Sequence, residues 1–147
     1  MPNINVTERT VAPKLDQGLL AGLIAGGVSA VWLTLVGGSK PFVLTSVLFL
    51  GAERGDTGFN ISWLTGLVAW LVLFALAGVV FSLLWPRLRK AGTWTPSILF
   101  SLAVYLLAYQ IVGRMIDGDL VRELSFFGMI TAFFFGGAAL AFRYRRA

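Results

Sequence analysis

The stretch ISWLTGLVAWLVLFALAGVVFSLLW, residues 61–85, decides the fold class. It lies in a run of 30 uncharged residues between Asp56 and Arg87. A helix needs about 20 consecutive apolar residues to cross the hydrocarbon core of a bilayer. No water is present there to satisfy backbone N–H and C=O groups, so a single crossing segment must bond them internally, as a helix does. Residues 61–85 therefore read as a membrane-spanning helix.

The same arithmetic extends to the rest of the chain. Asp16 to Lys40 encloses 23 uncharged residues, Lys90 to Arg114 another 23, and Glu123 to Arg143 encloses 19. Each can hold a span. Over the 147 residues, 57% are hydrophobic and 13% charged, and the mean hydropathy is +0.81. A soluble domain carries about 25% charge. The composition and the gaps together predict an all-α integral membrane protein with four spans, at about 18–36, 61–85, 97–113 and 124–142.

Between spans 1 and 2, Lys40-Pro41 precedes an apolar run that ends before Glu53. It is too short to cross, and Pro41 suits a first helical turn. The reading is a short interfacial or re-entrant helix at about 42–52. Residues 1–17 are polar and mixed in charge (Glu8, Arg9, Lys14, Asp16) and read as a leader ahead of a single transmembrane domain, 18–146. Val28-Ser29-Ala30 resembles a cleavage site, but the leader has almost no net positive charge and the apolar run continues to Val36, which favours a full span. Further limits are expected from Asp16 as a cap, Gly37-Gly38 as a stop, Pro86 ending span 2, Thr95-Pro96 opening span 3 and Asp119 capping the last helix.

Orientation follows from the basic residues. The leader, the 86–96 loop and the tail carry eight Lys and Arg, and the two loops on the other side carry four. Short basic loops stay cytoplasmic, so both termini are expected inside, in a cell inner membrane. Arg87, Arg89 and Lys90 with Arg143, Arg145 and Arg146 would form a basic collar. It is read as a topology signal and a contact for anionic lipid at the cytoplasmic face. The net charge of +5 is thus assigned to membrane, with no nucleic acid as partner.

There is no histidine and no cysteine. Bis-histidine haem, zinc sites of His and Cys, Cys-x-x-Cys redox chemistry and Ser-His proteolysis all fall away. No cofactor, metal or catalytic residue is expected. No span carries a charge away from its ends, whereas proton-coupled transporters rest on intramembrane carboxylates.

Two sets of spaced residues remain. Gly18, Gly22, Gly26 and Ala30 recur every four residues in span 1, and Gly128, Ala132 and Gly136 do so in span 4. Such rows let helix backbones approach closely. They suit either a homo-oligomer face or packing within one four-helix bundle. In span 3, Ser101, Tyr105 and Tyr109 share a helical face that leads toward Gln110 and Arg114. They are candidates for a polar groove or for inter-helix hydrogen bonds.

The stretches GLLAGLIAGGVSA (18–30), the proline-led helix from Pro41, FSLLWPRL (81–88) and Phe134-Phe135-Gly136-Gly137 before the basic tail resemble small four-span bacterial membrane proteins, YagU-like in the broad sense. The resemblance implies this architecture and no particular activity. Such proteins often have a histidine in span 2 or the last span, and a role resting on it does not transfer here. Two functional readings follow. One is a non-enzymatic accessory, structural or lipid-associated membrane protein, alone or within a larger membrane complex. The other is a small oligomeric channel or transporter for a neutral or anionic solute, lined by span 3.

Overall fold

The computed structural model describes residues 15–53 and 58–145. Among these the chain is helical: α1 (Leu15–Gly37), α2 (Lys40–Leu50), α3 (Ile61–Leu88), a 3-10 turn (Arg89–Ala91), α4 (Trp94–Tyr105), a π-helical segment (Leu106–Gly113), α5 (Arg114–Glu123) and α6 (Phe126–Arg145). Four stretches are long and apolar enough to cross a membrane: Leu15–Gly37, Ile61–Ala91, Trp94–Glu123 and Phe126–Arg145. The fold is the all-α, four-span bundle expected from the charge gaps, with one additional short helix. The leader up to residue 14, Arg54, Asp56 and Arg146 lie outside the described residues.

The helix limits are wider than composition suggested. Asp16 sits inside the first turn of α1, where its charge still opposes the positive end of the helix dipole. Gly38, at φ +62°, makes the left-handed turn out of α1. Pro86 does not end α3. It removes one backbone donor and the helix continues to Leu88. The third span opens at Trp94 after Thr93, ahead of Thr95-Pro96. Asp119 does not cap the last helix. Asp117 accepts from the amides of Asp119 and Leu120, at 3.0 and 3.1 Å, at a kink with φ −153° and ψ 101°. The Ser125 hydroxyl caps α6 by accepting from the Gly128 amide at 3.2 Å.

In the bundle, α1 packs between α3 and α6, and α6 packs on α4. The α1–α3 contact is backbone against backbone. A Cβ on Gly22 would collide with the Phe74 carbonyl and lie 2.9 Å from the Ala75 Cα. One on Gly78 would lie 2.6 Å from the Gly22 Cα, and one on Gly18 2.6 Å from the Ser82 hydroxyl. Rising numbers on α1 meet falling numbers on α3, so the two helices run antiparallel. On α6, Gly136 accommodates the edge of the Phe74 ring, 2.6 Å from where its Cβ would stand. Gly137 admits α4 at Ile98, 2.8 Å away.

Composition is inverted relative to a soluble bundle. Leu19, Leu23, Val31 and Leu35 of α1 and Leu64, Val68, Val72 and Leu76 of α3 face outward, while Gly, Ala, Ser and large aromatic rings fill the centre. Lipid is as apolar as leucine, so burying aliphatic side chains gains little, and close backbone packing decides which faces turn inward. The gaps left by the glycines are filled by rings. Trp70 is fully buried and packs on Phe74, Phe133, Phe42 and Tyr109 with centroids 5.2 to 6.2 Å apart.

The short helix α2 is the one expected after span 1, and its packing is what the sequence does not show. Seven of its 11 residues are buried within the bundle, on every side of the helix. It is inserted beside α3, where Gly66 has no Cβ and the Phe42 carbonyl takes that space. Gly51, at φ +63°, ends α2, and its amide bonds to the Val47 carbonyl at 3.2 Å.

These contacts predict a contrast among glycines. Gly22→Leu and Gly66→Leu should each destabilise the fold by about 1–3 kcal/mol, or prevent folding, because the neighbouring atoms are backbone. Gly27→Leu, with nothing within 4 Å of its Cβ position, should be neutral. Thermal unfolding in mild detergent, followed by size-exclusion profile, measures this; equal effects at positions 22 and 27 would refute the packing argument.

Candidate functional site

The third span carries the polar side chains singled out from the sequence, and the structure turns them inward. Ser101 is buried and donates to the Phe133 carbonyl of α6 at 2.7 Å. Tyr109 is fully buried, and its hydroxyl pairs with that of Thr45 on α2 at 3.0 Å. Tyr105 is buried as well, and its hydroxyl accepts from Gln110 Nε2 at 2.6 Å. That last bond spans five residues. It is the spacing of a π-helix, whose wider turns place residue i+5 near residue i. The stretch Leu106–Gly113 is π-helical throughout.

The widened segment also presents Tyr109 and Gly113 to α2. Phe49 meets the Tyr109 ring edge-on at 5.4 Å, and Leu48 comes within 3.1 Å of the position a Gly113 Cβ would take. Tyr105 and Tyr109 stack at 6.1 Å against Phe133. Arg114 is exposed beyond the end of this segment. The five residues Ser101, Tyr105, Tyr109, Gln110 and Arg114 therefore do not form one polar surface. Four of them, all but Arg114, are spent on internal hydrogen bonds beside the aromatic core, a pattern that ties α2, the third span and α6 together.

Other hydroxyls are closed in the same way. Trp70 Nε1 donates to Ser29 Oγ at 3.0 Å, and Ser29 donates to the Gly26 carbonyl at 3.0 Å. Trp32 Nε1 donates to Thr131 Oγ1 at 2.8 Å, joining α1 to α6. Sequence reasoning missed Thr45, Ser29 and Trp70 as partners. No spacing signals them, because each bond crosses between helices distant in the chain.

The packing rows occupy the interior. Gly18, Gly22 and Gly26 meet α3, Ala30 is buried, and Gly128, Ala132 and Gly136 are buried on α6. Gly128 makes a looser contact than the others, with Val36 3.6 Å from its Cβ position.

The basic collar forms at one end of the bundle. Tyr144 of α6 packs against Trp85 and Phe81 of α3 at 5.0 and 5.1 Å, which brings the ends of both helices together. Arg87, Arg89 and Lys90 project there with Arg143 and Arg145, all exposed. At the opposite end, Asp119 and Arg122 form an exposed pair at 3.6 Å, worth less than about 1 kcal/mol. Among the described residues no group of three or more Asp and Glu is placed to hold a metal ion.

If Thr45 and Tyr109 act as a structural clasp, Thr45→Val and Tyr109→Phe should each destabilise modestly and be non-additive. The coupling in a double-mutant cycle should be of the order of 0.6 kcal/mol, the average for hydrogen bonds between membrane helices. Reversible unfolding in mixed micelles measures it, and strict additivity would remove the clasp. No known protein family, curated protein or solved structure matches this chain.

Proposed function

We propose that this protein is a non-enzymatic, multi-pass component of a bacterial inner membrane, an accessory or structural subunit that associates with anionic lipid. The observation that carries this reading is that the buried polar side chains of the third span are all taken up in hydrogen bonds inside the bundle. Ser101, Tyr105 and Tyr109 bond to α6, Gln110 and α2, so their chemistry holds helices in place. A solute path along the third span would need these groups turned toward an open lumen, and they are buried.

The collar supplies the lipid association. Five exposed cations at one end of the bundle fit the negatively charged cytoplasmic leaflet, where each basic residue near the surface contributes about 1 kcal/mol. The same bias favours cytoplasmic termini. The four-span plan with a proline-led short helix is in keeping with a kinship to the YagU-like membrane proteins.

Because the chain has no cysteine, orientation can be read with single introduced thiols. In intact spheroplasts Lys90→Cys should resist a membrane-impermeant maleimide and Asp119→Cys should react; the reverse pattern would invert the assigned topology. Changing Arg87, Arg89 and Lys90 to Gln should lower the phosphatidylglycerol that co-purifies in native mass measurements. The same measurement shows any retained protein subunit. Turnover of a lipid or peptide by the purified protein would overturn the non-enzymatic reading.

A further inference from the structure

α3 and the third span touch near the collar, where the Phe81 and Phe100 rings lie 5.1 Å apart. Toward the other end α2 packs against both, with Phe42 against Trp70 at 6.0 Å and Thr45 bonded to Tyr109, while Trp70 and Tyr109 still meet at 6.2 Å. Beside this helix the two spans leave a groove of about 550 Å3. Half-buried Ala69, Leu73 and Ala108 line its deeper part, and the exposed Leu64, Val68, Val72 and Leu76 form its rim.

Three properties define what fits there. The first is length. From Leu64 to Leu76 the lining follows α3 for about 18 Å at 1.5 Å per residue. Half the hydrocarbon core is about 15 Å. Leu64 is one turn inside the end of α3, so the groove runs from near the membrane boundary to about the midplane, the course of one acyl chain in one leaflet. The second is polarity. The lining hydroxyls all have partners: Thr45 and Tyr109 bond to each other, and Thr65 donates to the Ser62 carbonyl at 3.1 Å. An occupant needs to offer no donor or acceptor. The third is the rim. Helices associate in membranes through small residues that admit a second backbone. Gly18, Gly22, Gly66, Gly136 and Gly137 are already spent inside the bundle, while the groove presents branched aliphatic side chains at its edge.

We propose that this groove is a site for one acyl chain of a phospholipid in the leaflet on the α2 side, held as a packing element between α3 and the third span. The proposal rests on the membrane embedding in the reading above and not on the basic collar. The chain fills space that the protein's own side chains leave open, where an unfilled gap forfeits dispersion contacts along its walls.

The test uses full-length protein reconstituted in phosphatidylcholine vesicles containing a phosphatidylcholine with a photoreactive acyl chain. A neutral headgroup keeps the collar out of the measurement. Labelling should concentrate on residues 64–76 and around Ala108, and should persist there after mild detergent removes bulk lipid. Ala69→Phe and Ala108→Phe, which fill the groove, should each lower this retained labelling several-fold. Leu99→Phe, on the exposed face of α4, should leave it unchanged. Even labelling of all lipid-facing helices, complete loss on removal of bulk lipid, or a dimer with the groove shielded by a second copy would each overturn the proposal. The detergent step uses the unmodified chain, so it decides the matter even where a bulky variant fails to fold. Groove labelling that survives while the collar substitutions leave phosphatidylglycerol retention unchanged would remove the collar's role alone.

Discussion

The close approach of α1 and α3 at Gly18, Gly22 and Gly78 is the constraint on which the remaining structure depends. With hydrogen atoms in place of side chains, the two backbones come within van der Waals range. In lipid this compensates for the missing hydrophobic drive between helices, because dispersion acts over many atom pairs at short range. Two helices that close leave no room between them for a large side chain, so the rings of Phe74 and Trp70 are directed to the side. There they meet Phe133 and Tyr109 and form the aromatic centre. Gly136 then matters as the recess for Phe74, and the position of α6 follows.

The second element of the design is α2. A short helix of 11 residues cannot span, yet its Thr45, Ser46 and Phe42 are buried inside a membrane protein. Its hydroxyls are satisfied locally: Thr45 donates to the Pro41 carbonyl at 2.8 Å and Ser46 to the Val43 carbonyl at 2.8 Å. Gly66 gives it a seat on α3, and the π-helical segment of the third span widens to receive it. π-Helical turns are rare and are tolerated where they serve a specific contact. Here that contact is Tyr109 with Thr45 and Phe49. The groove beside α2 is a consequence of the same insertion.

Much of the architecture was legible beforehand. Four spans, a short helix led by Pro41, and a basic end all follow from where the charges stand. The helix ends were less legible. In sequence Pro86 looks like a stop, but near a helix end a proline forfeits a single hydrogen bond, and α3 continues past it. Asp119 suggests a cap for the last helix, whereas the chain kinks two residues earlier, where Asp117 accepts from the Asp119 amide, and Ser125 caps α6. The spacing of Ser101, Tyr105 and Tyr109 was legible as a shared face. Its direction was not, since a polar stripe looks the same in sequence whether it lines a lumen or bonds to a neighbouring helix. Tyr105 to Gln110 was hidden for another reason, because a five-residue spacing is adjacent only once the helix widens.

The sequence by itself determined that this chain is helical, how many times it is long enough to cross, and which end is basic. Those properties depend on the cost of placing a charge or an unbonded peptide group in hydrocarbon, a cost each segment bears whatever its neighbours are. Only the tertiary structure decided that α2 is buried, that the glycine rows close inside one chain, and that the span-3 hydroxyls face the core. These depend on backbone approaches of a few ångströms between segments far apart in the chain. No local pattern encodes them.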